Sequence, residues 1–195
     1  MTIKNEIRIS QNPLEFRNGE NGEVTVRGYA AVFDEEIEIG SWFREVIRPG
    51  AFRNAIERGD DVVFLVNHDG LPLARSRSGT LKLTEDKRGL AIEATLDTSD
   101  PDVAQIVPKM KRGDLDKMSF AFWPEEETWI DKEGDNELPL REVKDVRLHD
   151  VSIVTTPAYE GTEIGLRAFE RYRDQNTDKA AAVRAKLKLK LGALA

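Results

Sequence analysis

A serine hydroxyl is a weak nucleophile until a neighbouring base takes its proton, and a histidine near its ordinary pKa suits that work at neutral pH. The chain offers two histidines, His68 and His149, and no cysteine. A thiol nucleophile, an iron–sulfur cluster and a zinc site built on thiolates are thereby excluded. His68 stands in the polar turn N-H-D-G just past the apolar run of residues 61–66 (DVVFLV), which would expose an imidazole where a rigid strand ends. Ser119 lies within residues 115–123 (LDKMSFAFW), with small Ala121 two places along on the same face, leaving room for a substrate chain. Serine-type hydrolysis is the chemistry these two permit, although most strand serines and strand-end histidines are structural. The pairs His68-Asp69 and His149-Asp150 suggest a competing reading, a metal-dependent phosphohydrolase with His and Asp ligands. Such sites normally draw further histidines from helices, and both pairs here lie in or beside strand-like segments.

The elements that must position these residues are mostly short and β-rich. Residues 24–33 (VTVRGYAAVF) read as a strand with a bulge or close backbone approach at Gly28, and the turn-rich stretch 18–22 makes a hairpin with the segment before it. Pro49-Gly50 breaks the chain, after which residues 51–58 read as a short helix stopped by Gly59. The run 61–66 is a buried strand by its length and valine content. Residues 80–84 (TLKLT) and 90–96 (LAIEATL) alternate around a polar turn and form a hairpin. Asp100-Pro101 starts a helix and Gly113 stops it, with Pro108 predicted to kink or divide it. In the strand 115–123, Met118, Phe120 and Phe122 share one face while Lys117, Ser119, Ala121 and Trp123 share the other. An acidic loop spans 125–139, and residues 143–155 form a last strand before Pro157. The pattern predicts a β-rich α+β domain, barrel or sandwich, and not a doubly wound sheet.

A chain of 195 residues is the size of one domain with a core that needs neither disulfides nor a metal. The expected organisation is an N-terminal segment, 1–23, joining as a strand; a main domain, 24–172; and a C-terminal tail, 173–195. Within it, residues 179–195 contain Lys179, Arg184, Lys186, Lys188 and Lys190 without an acid, so the net −7 leaves −12 on residues 1–178. Such a body repels nucleic acid. The tail reads as a basic amphipathic helix or a disordered arm. No apolar run approaches the length of a membrane span, and the first residues lack the features of a secretory signal, so the chain is expected to stay in the cytoplasm that makes it. No cofactor or metal is expected.

Five elements taken in order carry a resemblance. G-Y-A-A-V-F (28–33), V-I-R-P-G-A-F (46–52), N-H-D (67–69), K-M-S-F-A-F (117–122) and D-V-S-I-V-T-T-P-A-Y (150–159) together resemble the caudovirus prohead serine protease family. That resemblance implies Ser119 as nucleophile and His68 as base, on a small β-barrel flanked by a few helices, like the herpesvirus assembly proteases and commonly dimeric. Ala121 departs from the glycine often found there, which would narrow a substrate groove. As third member the family's acid before V-S corresponds to Asp150; related viral proteases use a second histidine, which makes His149 the alternative, with Asp145 behind both. Adjacent strand residues face opposite ways, so only one of His149 and Asp150 can point at His68. The implied partners are the major capsid protein with its scaffold segment, the portal and a second copy of the chain. The implied place is the assembling procapsid within the host bacterium. A non-catalytic assembly module of the same fold is the other reading.

Overall fold

The computed structural model describes residues 5–10, 14–19, 22–131, 138–155 and 166–175. Its strands are β1 (Glu6–Ser10), β2 (Glu15–Asn18), β3 (Glu23–Val32), β4 (Ile37–Ile39), β5 (Phe43–Ile47), β6 (Val63–Val66), β7 (Asp69–Arg75), β8 (Leu81–Glu85), β9 (Gly89–Asp97), β10 (Lys117–Ile130) and β11 (Leu140–Val154). Helix α1 (Arg53–Arg58) ends at Gly59, whose φ of 69° suits a left-handed cap. Helix α2 (Pro101–Arg112) starts on Asp100, whose side chain accepts from the Asp102 backbone N–H. Pro108 does not divide it as predicted. The proline lies on the exposed side of α2, where water can satisfy the carbonyl it leaves without a donor. A further helical stretch runs over 166–175.

The strands form two sheets among the described residues. One has four strands in the order β2-β3-β9-β8. The other has seven: β1-β10-β11-β5-β4, with β6 also paired to β11 and β7 paired to β6. The β-rich α+β reading holds, but the expected barrel is not present as a closed ladder. Both sheets are open among the described residues, the smaller ending at β2 and β8 and the larger at β1, β4 and β7, and no hydrogen-bonded pairing joins these edges into a closed ladder.

The core lies where β3, β9 and α2 meet β10 and β11. Val26, Leu90, Leu96, Phe64, Met118, Phe122 and Val151 are buried there, with Phe33 stacked on Phe52, and Phe52 edge-on to Phe120. At Gly28 the close neighbour is a side chain and not another backbone: a Cβ there would lie 2.7 Å from the Leu14 side chain, while the bulge of β3 falls just beyond, between Tyr29 and Ala31. The stretch 166–175 adds Phe169 and Tyr172 beside Phe43 and Trp129.

Strand β1 is unusual in what it buries. Its three buried positions are Glu6, Arg8 and Ser10, while Ile7 and Ile9 are half-exposed. Arg8 donates to Glu45 at 2.5 and 2.7 Å and to Glu6 at 2.7 Å. Arg141, with no exposed surface, donates to Glu6 at 2.6 and 3.0 Å and to Glu45 at 2.8 Å, and it also pairs with Glu127. Burial opposes ionisation of Glu6, but Arg8 and Arg141 outweigh it and hold its carboxyl below the ordinary 4.5. Burial likewise opposes the charge on Arg141, and Glu45 and Glu6 overcome it and strengthen its hold on the proton.

Removing one member of a buried ion cluster leaves the others unpaired, which costs about 3–5 kcal/mol. Arg141→Met is expected to lower unfolding stability by about that amount in urea titration. The depressed Glu6 value also sets a pH dependence. Its contribution is complete above pH 4.5 and is lost as pH falls through the lower folded-state value. The thermal unfolding temperature of the wild type should therefore fall at pH values below 4.5, and Arg141→Met should show a shallower acid limb.

Candidate active site

Strand β11 is the member on which the site is assembled. Its end, Asp150 to Ile153, runs parallel to β6 from Val63 to Val66, while β10 lies antiparallel on its other side with Ser119 opposite Ser152. Asp150, Ser152 and Ser119 therefore share one face of the sheet.

His68 reaches that face from a turn. Val66 of β6 pairs with Asp69 of β7, leaving Asn67 and His68 as a two-residue connection. Their φ values, 53° and 59°, are both left-handed, as a type I′ hairpin turn requires. Glycine is favoured at the second place; a histidine there is held against its backbone preference, and such positions gather at functional sites. The turn is tied to the end of β11. The Asn67 N–H donates to the Ile153 carbonyl at 2.9 Å, and the Asn67 side-chain oxygen accepts from the Thr155 N–H at 3.0 Å.

The imidazole then joins the other two side chains. His68 Nδ1 lies 2.6 Å from Asp150 Oδ1, and His68 Nε2 lies 2.7 Å from Ser119 Oγ. A carboxylate can only accept, so the proton belongs on Nδ1 and the Nε2 lone pair faces the serine hydroxyl. Ser152 Oγ donates to Asp150 Oδ1 at 2.8 Å and lies 3.2 Å from His68 Nδ1, fixing the carboxylate from the side. The arrangement is able to deprotonate a hydroxyl and stabilise the imidazolium that results. Ser152 was not singled out from the sequence, although its place two residues after Asp150 on one strand face was the available signal.

The other candidates go elsewhere. His149 packs edge-on against Trp123, with ring centroids 4.7 Å apart, and burial lowers its pKa. Asp145 accepts from Asn54 at 2.8 Å beside α1. Simple alternation does not apply to this pair because β11 bulges here: Ala121 pairs with Asp150 but Phe122 pairs with Leu148, so His149 is the extra residue and lies against Trp123 while Asp150 reaches His68. Of the two His-Asp pairs only His68 and Asp150 meet, and among the described residues no three His, Asp or Glu side chains converge as a metal site. Ser119 does face away from Met118, Phe120 and Phe122, but it is fully buried and does not open on a substrate groove. No described helix is long and apolar enough to cross a membrane.

The chain is similar to the prohead protease of Enterobacteria phage HK97, with 28% identity over 163 residues. That alignment covers 81% of this chain and 66% of the relative, just under two thirds of its length. No solved structure gives a significant match. A family model for caudovirus prohead serine proteases matches residues 12–176, a span that holds His68, Ser119, Ser152 and Asp150 together with most of both sheets. A match of that extent means that the chain belongs to the caudovirus prohead serine protease family.

Proposed function

We propose that the protein is a serine endopeptidase of procapsid maturation, with Ser119 as nucleophile, His68 as general base and Asp150 as the group that orients His68. The observation that carries this reading is the unbroken run of contacts from Asp150 Oδ1 through both His68 nitrogens to Ser119 Oγ. In the reaction, His68 Nε2 takes the hydroxyl proton as Ser119 Oγ bonds to the scissile carbonyl carbon. Collapse of the tetrahedral adduct breaks the C–N bond, and the amine leaves with the proton from His68. Water then adds to the acyl-enzyme with His68 again as base, the ester bond to Ser119 breaks, and the carboxylic acid departs.

Family membership and the name of the HK97 relative support a substrate in the procapsid. The proposed substrates are the major capsid protein and its scaffold segment, with self-cleavage as a further reaction and the portal as a further partner. The protein would work inside the assembling procapsid in the host cytoplasm, as a homodimer on a barrel-like fold of the herpesvirus assembly protease kind. The domain division at residues 24–172 belongs to the same reading. The basic tail, 173–195, falls almost wholly outside the described residues and would dock on an acidic scaffold or capsid surface.

Co-expression of the capsid protein with variants tests the assignment. Ser119→Ala and His68→Ala should lower processing by about 10⁴-fold or more, and Asp150→Asn by about 10⁴-fold, with circular dichroism showing that each is folded. Normal processing by Ser119→Ala would overturn the proposal. Ser152→Ala removes one hydrogen bond to a carboxylate, about 1.5–3 kcal/mol, and should slow turnover about ten- to a hundredfold. Because Ser152 acts through Asp150, the same variant should shift the pH–rate profile, which a purely structural defect would leave in place.

A further inference from the structure

We propose that the edge of β10 from Lys117 to Phe122 is where an extended substrate peptide is laid beside Ser119, and that β1 is a releasable strand which occupies that edge in the resting protein. This rests on the serine protease reading. Strand β1 is the terminal strand of its sheet and is antiparallel to β10, with Ile9 opposite Ser119 and Ile7 opposite Ala121. When β1 leaves, the backbone donors and acceptors of β10 become an open edge next to the nucleophile. An extended chain can add to such an edge by the same hydrogen bonds.

The nucleophile itself shows what β1 does in place. Ser119 Oγ lies 2.7 Å from His68 Nε2 and 2.8 Å from the Arg8 backbone carbonyl oxygen. A hydroxyl has one proton to donate, so the carbonyl of β1 competes with the base for it. Ser119 is also completely buried, and no protein substrate reaches it in this state.

The way β1 is fastened suits release. A strand held by leucines would expose apolar surface on leaving, whereas the buried positions of β1 are Glu6, Arg8 and Ser10, which hydrate well. The ion cluster also divides without leaving a lone charge. Glu6 and Arg8 depart already paired to one another at 2.7 Å, and Arg141 stays paired to Glu45 at 2.8 Å, with Glu127 alongside. Both halves keep their partners, so the penalty of an unpaired buried charge is avoided.

The absence of native cysteines allows a direct test. The facing pair Ile7→Cys and Ala121→Cys, placed together in the full chain, meets the spacing a disulfide needs across an antiparallel ladder. Each preparation is its own control, oxidised against reduced. The expected result is that the oxidised form reacts with a biotinylated fluorophosphonate, a reagent for activated serines, about tenfold or more slowly, and that dithiothreitol restores the rate. Processing of the capsid protein should follow the same order. Equal labelling in the two redox states overturns the β1 proposal alone. Wild-type protein that takes no label defeats the protease reading, and this proposal with it. Glu6→Gln with Arg8→Gln loosens β1 without a cross-link and should be labelled several-fold faster than wild type; an unchanged or slower rate counts against the proposal.

Discussion

Register is the constraint on which the site depends. Ser119, Asp150 and His68 come from three segments that are far apart in sequence, and two of them meet because β10 and β11 pair with Ser119 opposite Ser152. A slip of one residue would turn Ser119 to the core face and bring Met118 or Phe120 toward the imidazole in its place. The same ladder holds the core in place, since Phe120 and Val151 are paired across it and both are buried. The packing energy of the greasy face therefore also enforces the geometry of the polar one. A parallel partner, β6, then sets the height at which His68 enters, because its last residues run beside Ser152 and Ile153.

Much of this was legible in the residues. The alternation in 115–123 assigns Ser119 its face, and the glycines at 59 and 113 end helices where they were expected to. The choice between Asp150 and His149 depended on a phase that simple alternation gets only half right. Val146 and Leu148 are two apart, Leu148 and Val151 are three apart, and Val151 and Ile153 are again two apart. That break is the bulge at His149, and it lets Asp150 face the site while residues on both sides of the bulge still send apolar side chains to the core. The turn at Asn67 and His68 was visible as a polar turn, but its left-handed backbone was not, because neither residue is glycine.

What the residues concealed is the ion cluster. Buried positions are inferred from apolar side chains, and Glu6, Arg8, Glu45 and Arg141 read as solvated charges in any pattern built on hydropathy. The pairing that buries them joins segments separated by as many as 135 residues, which local alternation does not register. The residues left barrel and sandwich open for a related reason. A count of short strands is equally compatible with a closed barrel and with two open sheets, and only the inter-strand pairings distinguish them.

The two flanks of Ser119 are built in opposite ways, and each suits what the proposed hydrolysis would ask of it. On the side of His68, the proposed proton transfers would need a geometry held to a few tenths of an ångström, and the strained turn is over-determined by β6, by the Asn67 bonds to β11 and by Ser152 behind the carboxylate. Strain of this kind persists only where the surroundings leave no alternative. On the opposite flank the proposed protease would receive its substrate, and a strand fixed there by apolar burial would close the site permanently. Charged side chains reconcile specificity with reversibility, since an ion pair fixes register tightly when dry and gives up little net free energy when it returns to water. The polar interior face of β1 is thus the counterpart of the rigid turn at His68.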